Sequence, residues 1–375
     1  MTLSWPTLYF IAVGISLVLT LCVIPCILKL SYAKGLFDRP NERKVHEGVV
    51  PRLGGLSFFP VIILTVSIII AFSPVTFTDA GFGIESDILL PTSEFIVLFA
   101  AMTIMYLTGL FDDLIGLKYG SKFIAQILAA TLIVFCGNYV TNYFGLFGIG
   151  RVGDVVGGFI SGFLIIFIVN ALNLIDGIDG LASGLCMITL AFFGILLFDS
   201  GEFLYSLLAW VGTASLFVFW IFNVFGKTQN HTKIFMGDIG SLTMGLFVAF
   251  FVLIIAGHTN FSCRWSPNNF VLAVSPLVLP LFDVIRVFFV RIMERKSPFL
   301  PDKKHIHHLM LDAGLPMKAS MVILILLQIG LIVANVWLSD FAGTNMILLA
   351  DFVFYVLCVA VFIFLPRKNE ITVSR

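Results

Sequence analysis

The sequence from Phe159 to Gly180 reads FISGFLIIFIV followed by NALNLIDGIDG, and this stretch shows what kind of chain carries it. Its first half is apolar, whereas its second half carries two amides and two carboxylates at three-residue intervals, Asn170, Asn173, Asp176 and Asp179. An aspartate at the centre of a membrane helix costs about 2.5–3.5 kcal/mol. We therefore predict a membrane helix that runs out into a polar interfacial turn, which its two glycines allow to bend.

Composition places the whole chain in a membrane. The 375 residues are 59% hydrophobic and only 12% charged, and the mean hydropathy is +1.06. Soluble domains carry about 25% charged residues, so a soluble enzyme is excluded. We predict an all-α fold, a polytopic integral membrane helical bundle that forms one membrane-embedded domain over residues 1–375.

About eleven apolar runs are long enough to approach the ~20 residues that a helix needs to cross a bilayer core of ~30 Å. They lie near residues 7–29, 55–73, 94–110, 122–138, 157–172, 180–198, 204–224, 240–258, 270–290, 319–338 and 344–365. The third, fourth and fifth runs are short for a span.

Lysine and arginine positions indicate the orientation, because cytoplasmic loops carry an excess of both. Loops 30–54 and 291–318 are the most basic, and among the basic loop residues only Arg151 and Arg264 fall on the other side. An odd number of spans then places the N-terminus outside and the C-terminus in the cytoplasm. The cytoplasmic loops expected to form an active site lie near residues 30–54, 111–121, 173–180, 225–240 and 291–318.

Five carboxylates are expected to meet on this cytoplasmic face, together with Asn173. They are Asp112, Asp113, Asp176, Asp179 and Asp238. Uncompensated carboxylates repel one another and raise one another's pKa, and a hard divalent cation is the usual counter-charge. Carboxylate and amide oxygens favour Mg²⁺, with Mn²⁺ as the second choice.

These acids also have structural interpretations. Adjacent Asp112 and Asp113 cannot point the same way on a helix, so one is expected to meet the ligand while a lysine or backbone group holds the other. The pair could instead be a solvated turn. Asp238 opens a helix, where it could serve only as an N-cap; its placement opposite Asn173 favours metal ligation.

Two basic loops are candidates for binding anionic oxygens. His305, His307 and His308 follow Lys303 and Lys304, and their spacing lacks the Cys or Glu partner that is usual at zinc sites. This loop suits a diphosphate, with zinc binding and a solvated loop as alternatives.

In loop 30–54, Arg43, Lys44 and His46 are candidates for binding the phosphate of a lipid substrate. Basic residues in such a loop also attract anionic lipid headgroups. Such a site, with a divalent metal and surrounding cations, suits phosphoryl transfer involving a lipid phosphate.

Several motifs follow one another in a specific order along the chain. They are Asp38-Arg-Pro-Asn with Gly54-Gly55, Asp112-Asp113, Asn170–Gly180, Phe235–Ser241, and Ser297-Pro-Phe-Leu-Pro-Asp302 leading into His305-Ile-His-His308. In this order the chain resembles the polyprenyl-phosphate N-acetylhexosamine-1-phosphate transferases of the glycosyltransferase 4 family, over nearly its whole length. Within them it looks most like the bacterial undecaprenyl-phosphate N-acetylglucosaminyl-1-phosphate transferases.

The resemblance implies transfer of a sugar-1-phosphate, N-acetylglucosamine 1-phosphate above all, from a UDP-sugar to undecaprenyl phosphate, with release of UMP. By the same likeness, Asn173 and Asp238 hold Mg²⁺ on the diphosphate, and Asp112 deprotonates or orients the lipid phosphate. The implied catalytic residues are Asp112, Asp113, Asp176 and Asp179. The implied substrate-binding residues are Lys44, His46, Lys122, His305, His307 and His308.

The resemblance also implies a place in the cell and a set of partners. The chain is expected in the bacterial inner (cytoplasmic) membrane, with its active site on the cytoplasmic side, at the first membrane step of O-antigen, common-antigen, teichoic acid or other surface-glycan synthesis. The expected partners are undecaprenyl phosphate, a UDP-N-acetylhexosamine and the lipid bilayer. A homodimer is compatible with the sequence, and no nucleic acid is expected.

Three alternatives were weighed against this interpretation. Relatives that transfer phospho-N-acetylmuramoyl-pentapeptide share the acidic motifs but carry a different histidine loop. A transporter would place ionisable groups near the bilayer midplane, where these spans are apolar except for Asp351, to which we assign no role. An inactive scaffold would have no reason to keep five carboxylates together. Asn170 is expected to be a structural amide, and Asp283 and Arg286 are spaced to pair as i,i+3.

Overall fold

The computed structural model describes residues 5–37, 50–72, 93–257, 261–296 and 304–364. About four fifths of this part is helical. The helices are α1 (Trp5–Lys34), α2 (Phe58–Phe72), α3 (Ser93–Ile115), α4 (Tyr119–Phe135), α5 (Asp154–Leu174), α6 (Leu181–Asp199), α7 (Phe203–Phe225), α8 (Gly237–Gly257), α9 (Asn269–Val274), α10 (Val278–Met293), α11 (Ile306–Asp312), α12 (Met317–Leu338) and α13 (Thr344–Phe364).

The helices confirm the predicted polytopic membrane bundle. Within the described ranges, ten helical segments are long and apolar enough to cross a membrane. One of them consists of α9 and α10, which are joined by a 3₁₀ turn at Ser275–Leu277. The 17-residue α4 is a shorter apolar helix, and with it every predicted apolar run coincides with a helix. The short α11 lies in the loop that carries the histidines.

Helix α8 forms the centre of the bundle. All of its membrane-crossing window is buried inside the protein, whereas only 22% of the α13 window is. A helix that is hydrophobic on every side lies either in lipid or in a protein core, and full burial places α8 in the core. Close packing depends on Gly109 of α3, where a Cβ would fall 2.3 Å from the Ile239 Cα, and on Gly245, where it would fall 3.0 Å from the Val169 Cα. The start of α8 is therefore fixed relative to α3 and α5.

A short β-hairpin lies at the end of α5 opposite the polar turn, and the sequence analysis did not anticipate it. Strands β1 (Asn142–Leu146) and β2 (Ile149–Arg151) pair antiparallel. The first residues of α13 hold the hairpin: Thr344 Oγ1 donates to the Phe144 carbonyl and Asn345 Nδ2 to the Gly145 carbonyl, each at 2.8 Å.

Two polar pairs join helices inside the bundle. Asn335 Nδ2 of α12 donates to Asp351 Oδ2 of α13 at 2.8 Å, and both residues are buried. Asn170 Nδ2 of α5 donates to Gln126 Oε1 of α4 at 2.7 Å. Interhelical hydrogen bonds of this kind stabilise membrane bundles. Asn170 is thus a structural amide, as predicted, and Asp351 has a packing role that its sequence context did not reveal.

Candidate active site

The polar turn between α5 and α6 is held in place by α7. The chain turns over residues 175–180, and Gly180 has a φ of 76°, which disfavours any side chain. A Cβ there would also lie 2.4 Å from the Met321 Sδ. The Gly180 amide donates to Asn223 Oδ1 at 2.5 Å, and its carbonyl accepts from Trp220 Nε1 at 3.1 Å. The predicted interfacial turn is therefore present and rigidly positioned.

Four polar side chains at the ends of α3, α4, α5 and α8 form what we call the carboxylate cluster: Asp112, Lys122, Asn173 and Asp238. The Lys122 Nζ lies 2.9 Å from Asp112 Oδ2 and 2.7 Å from Asp238 Oδ2. Asn173 Nδ2 donates to Asp238 Oδ1 at 2.9 Å and to Ser241 Oγ at 2.8 Å. The three charged side chains are 14–29% exposed, so a ligand can reach them.

Asp113 is turned toward the start of α8. Its Oδ1 accepts from the Asp238 amide at 3.1 Å and its Oδ2 from the Ile239 amide at 3.0 Å. The first amides of a helix have no partner within the helix and favour negative charge, so Asp113 caps α8 from a neighbouring helix. The alternative that Asp238 is only an N-cap is wrong, because it lies inside α8 and its side chain belongs to the carboxylate cluster.

The Gly54-Gly55 motif fixes the same helix start from another side. The Gly54 amide donates to the Phe235 carbonyl at 2.9 Å, and the Gly55 amide donates to the Met236 carbonyl at 3.0 Å. A Cβ on Gly55 would fall 2.1 Å from the Gly240 amide nitrogen, so only glycine permits this approach. These contacts position Asp238 without touching its side chain.

Asp176 and Asp179 have different surroundings. Asp179 Oδ2 lies 2.5 Å from the Lys233 Nζ, which also donates to the Asn223 carbonyl. Asp176 makes no hydrogen bond or ion pair with the residues that the structure describes. Burial, followed by repulsion from Asp238 and from two other aspartates, raises the pKa of Asp176 to about 8. Asp176 is therefore the carboxyl group with most capacity to take a new partner.

The histidine loop is anchored by a buried carboxylate, Asp283 of α10. Its Oδ2 lies 2.7 Å from His305 Nδ1, and its Oδ1 accepts from the Ile306 amide at 2.9 Å. Oδ1 also accepts from Arg286 and from the Tyr355 hydroxyl, each at 2.9 Å. The predicted i,i+3 pair of Asp283 and Arg286 is confirmed, and it forms part of a larger network that links α10, α11 and α13.

His307 lies beside this anchor without a partner. The residue is fully buried, and neither ring nitrogen has a hydrogen-bond partner in the described part of the chain. Its ring packs on Gly177, where a Cβ would fall 2.1 Å from Nε2. Burial, and then the neighbouring histidines, lowers the pKa of His307 to about 3, so its imidazole is neutral. We call His305, His307, His308 and Asp283 the histidine cluster.

The carboxylate cluster offers a donor set that suits a hard divalent cation. The Asn173 side-chain oxygen accepts no hydrogen bond from the described residues, and Asp238 adds a carboxylate. Mg²⁺ typically takes one or two protein carboxylates and completes its shell with water and substrate phosphates. Consistent with this mode, no three His, Cys, Asp or Glu side chains of the described residues could hold an ion by themselves. The three histidines accordingly do not form a zinc site.

Some of the predicted site residues lie outside the described residues, and the structure adds site residues that the sequence analysis did not predict. Lys44 and His46 lie outside the described residues, as does the Ser297–Asp302 motif. Sequence reasoning overlooked Lys233 and Asn223, which hold Asp179 and Gly180. The available signal was the position of Lys233, two residues before the Phe235–Ser241 motif, where an isolated cation needs a counter-charge.

Comparisons with known proteins place these features in a wider group. The family model described as glycosyl transferase family 4 matches residues 95–256, which include α3 to α8 and the carboxylate cluster. The chain is 30% identical over 346 residues to the probable undecaprenyl-phosphate N-acetylglucosaminyl 1-phosphate transferase of Bacillus subtilis, covering 88% of this chain and 87% of that protein.

Two enterobacterial relatives match almost as well. The undecaprenyl-phosphate alpha-N-acetylglucosaminyl 1-phosphate transferase of Escherichia coli K12 is 30% identical over 303 residues, covering 80% of this chain and 75% of that protein. The protein of the same name from Yersinia pestis is 29% identical over 304 residues, with the same two shares covered.

Proposed function

The chain belongs to glycosyl transferase family 4, and we propose that it transfers N-acetylglucosamine 1-phosphate from UDP-N-acetylglucosamine to undecaprenyl phosphate. An oxygen of the lipid phosphate attacks the phosphorus that carries the sugar. The bond from that phosphorus to the oxygen of uridine monophosphate breaks, and UMP leaves. The other product is undecaprenyl-diphosphate-N-acetylglucosamine.

The observation that carries this proposal is the carboxylate cluster at the ends of four helices. Two carboxylates and an amide converge there around one lysine, next to a polar turn. Phosphoryl transfer needs little covalent chemistry from the protein and depends on positioning and charge neutralisation. A cluster of this composition, open to ligand and fixed by backbone contacts, meets both needs.

We assign the cluster's residues as follows. Asn173 and Asp238 would hold Mg²⁺, which would neutralise charge on the phosphate oxygens of the substrates. Asp112 orients the lipid phosphate, which is already a nucleophile, so we favour direct attack. Lys122 balances Asp112 and Asp238 in the free protein and can turn to a substrate phosphate when a ligand enters.

The remaining sequence candidates divide into positioning and substrate-contact residues. Asp113 and Asp179 already have strong partners, so we assign them positioning roles at α8 and at Lys233. Asp176 and His307 have no hydrogen-bond or ion-pair partner among the described residues, and the His307 ring packs on Gly177, next to Asp176 in the chain. We assign both residues contacts with the nucleoside and sugar. His305 positions the loop through Asp283, and His308 lies beside His307.

The assay that tests this function uses purified full-length protein with a panel of UDP-sugars and radiolabelled undecaprenyl phosphate. We expect Mg²⁺-dependent transfer and stoichiometric UMP release with UDP-N-acetylglucosamine. UDP-N-acetylmuramoyl-pentapeptide and UDP-N-acetylgalactosamine belong in the same panel, because they test the sugar separately from the reaction. Absence of transfer from every sugar nucleotide would refute the proposal.

We propose further that this active site faces the cytoplasm in the bacterial inner membrane, with the N-terminus outside. The distribution of lysine and arginine supports this orientation. The test labels single introduced cysteines in intact cells with an impermeant thiol reagent, in a background whose six native cysteines are replaced by serine. Cysteine at exposed Gln229, next to the site, should be protected, and cysteine at Phe341, between α12 and α13, should be labelled. The reverse pattern would invert the topology.

A further inference from the structure

A groove of about 490 Å³ lies between α1, α7 and the segment that follows α7, outside the site described above. Its lining includes the apolar side chains Pro25, Leu28 and Phe222 and the polar side chains Lys29, Tyr32 and His231. Volumes of 300–1,000 Å³ with a few polar groups in an apolar lining are typical of ligand pockets.

Among the described residues, the side chains of Lys29, Tyr32 and His231 in this groove have no ion-pair or hydrogen-bond partner. Lys29 and His231 make no ion pair with the residues that the structure describes. The Tyr32 hydroxyl oxygen is buried and has no hydrogen-bond partner there, although leaving such a group unpaired costs free energy. A cation, an imidazole and a hydroxyl donor therefore converge on one apolar groove, and together they complement a phosphate oxygen.

His231 is placed in the groove by the 3₁₀ turn Thr228–Asn230, which it closes in the left-handed conformation with a φ of 55°. Histidine is enriched in this conformation among residues other than glycine. Its ring meets the Tyr32 ring edge-on, with 4.2 Å between the ring centroids. The two side chains therefore lie together in the lining of the groove.

The position of the groove indicates which phosphate it accepts. Lys29 precedes the end of α1 by five residues, about 7–8 Å along the helix axis, at the end of the bundle that carries the active site. The surrounding surface is apolar and outward-facing, with Leu21, Leu30 and Phe225 each about half exposed. A soluble phosphate would leave the apolar lining uncovered, whereas a phospholipid covers it with its acyl chain.

We propose that this groove binds one anionic glycerophospholipid, with the headgroup phosphate at Lys29, Tyr32 and His231 and an acyl chain along Pro25, Leu28 and Phe222. The site is separate from the carboxylate cluster, and it does not depend on the proposed reaction. Basic side chains at the membrane surface attract anionic lipids, and here two such side chains meet a shaped apolar surface.

The test uses full-length protein in nanodiscs of phosphatidylcholine with a minor fraction of phosphatidylglycerol, followed by native mass spectrometry of retained lipid. Wild-type protein should retain one phosphatidylglycerol. Lys29→Gln should reduce its retention roughly fivefold, the effect expected of one interfacial cation. His231→Gln should also reduce retention, by a smaller factor. Tyr32→Phe should also reduce retention. The matched control is Lys34→Gln, on the same helix but outside the groove, which should leave retention unchanged.

Three outcomes would overturn the proposal. The first is equal retention by wild type and the Lys29 and His231 variants, each monodisperse on gel filtration. The second is an equal loss with Lys34→Gln, which would show general surface attraction only. The third is displacement of phosphatidylglycerol by an equimolar amount of undecaprenyl phosphate, which would show that the groove holds the proposed lipid substrate instead.

Discussion

The carboxylate cluster and the histidine cluster stabilise their charged side chains in opposite ways. In the carboxylate cluster, two partly exposed aspartates share a single lysine across three helices. In the histidine cluster, one fully buried aspartate accepts from four donors, and the neighbouring His307 has no hydrogen-bond partner among the described residues. The first arrangement can exchange partners with a ligand. In the second arrangement, the Asp283 carboxylate already accepts hydrogen bonds from four donors. The imidazole of His307 beside it is fixed and neutral.

The largest effect should come from removing charge in the carboxylate cluster. Asp238→Asn removes the proposed metal ligand and the partner of Lys122, so we expect kcat to fall about 10³-fold, the range seen when a main electrostatic contact of an active site is lost. UMP release over a range of Mg²⁺ concentrations measures it. Asp154→Asn, at the opposite end of α5, is the matched control and should retain activity. Full activity of Asp238→Asn would remove the metal assignment.

Substitutions in the histidine cluster should lower the free energy of unfolding. Asp283→Ala removes the buried carboxylate that accepts from Arg286 and from three other donors, so we expect the free energy of unfolding to fall by about 3–5 kcal/mol. Tyr355→Phe removes only one of the four donors and should cost about 1 kcal/mol. Thermal unfolding in detergent measures both. Equal effects of the two substitutions would contradict the anchoring role of Asp283.

Gly177 joins the polar turn to the histidine cluster, and its substitution should have an intermediate effect. A Cβ at Gly177 would fall 2.1 Å from His307 Nε2, and the buried ring has little room to move. We expect Gly177→Ala to lower kcat/KM by about tenfold through displacement of this ring, a cost of 1–2 kcal/mol. Gly162→Ala, with open space at its Cβ, should leave kinetics unchanged. Unaltered kinetics of Gly177→Ala would exclude His307 from substrate contact.

The last effect concerns the pH dependence of stability, which has opposite signs for His307 of the histidine cluster and for Asp176 of the polar turn. The folded-state pKa of His307, about 3, lies below the value of about 6.5 in the unfolded chain. Its contribution to stability is present above pH 6.5 and falls by roughly 1 kcal/mol per unit below it. For Asp176 the folded-state pKa, about 8, lies above the unfolded value, so its contribution falls as pH rises toward 8.

Unfolding temperatures in the absence of divalent ions separate these two contributions. His307→Gln should reduce the loss of stability between pH 7 and pH 5, and Asp176→Asn should reduce the loss between pH 5 and pH 8. If His307→Gln has the same pH slope as wild type, the imidazole is not buried in its neutral form.

Most of the bundle follows from local sequence. Each span is an apolar run of roughly the required length, because a membrane helix must satisfy its own backbone and present apolar side chains to lipid. The glycine-containing turn after α5 was predictable for the same reason, since Asp176 and Asp179 are too costly at mid-depth. The hairpin Asn142–Arg151 was not predictable, because its contacts with Thr344 and Asn345 come from residues about 200 positions away.

The candidate site was predictable in its composition but not in its division of roles. Asp112 and Asp113 are chemically identical neighbours, and only the approach of α8 shows that Asp113 is a helix cap. Asp176 and Asp179 differ through Lys233, which lies 54 residues from Asp179.

The sequence by itself determined the membrane class, the helix boundaries to within a few residues and the set of polar groups available for chemistry. These depend on hydropathy and on residue type, which are local properties. Only the tertiary structure decided which of these groups are already paired and which are open to a ligand. Pairing depends on distances between helix ends of a few ångströms, and those distances result from the packing of the glycines of α3, α8 and the Gly54-Gly55 turn around one buried helix.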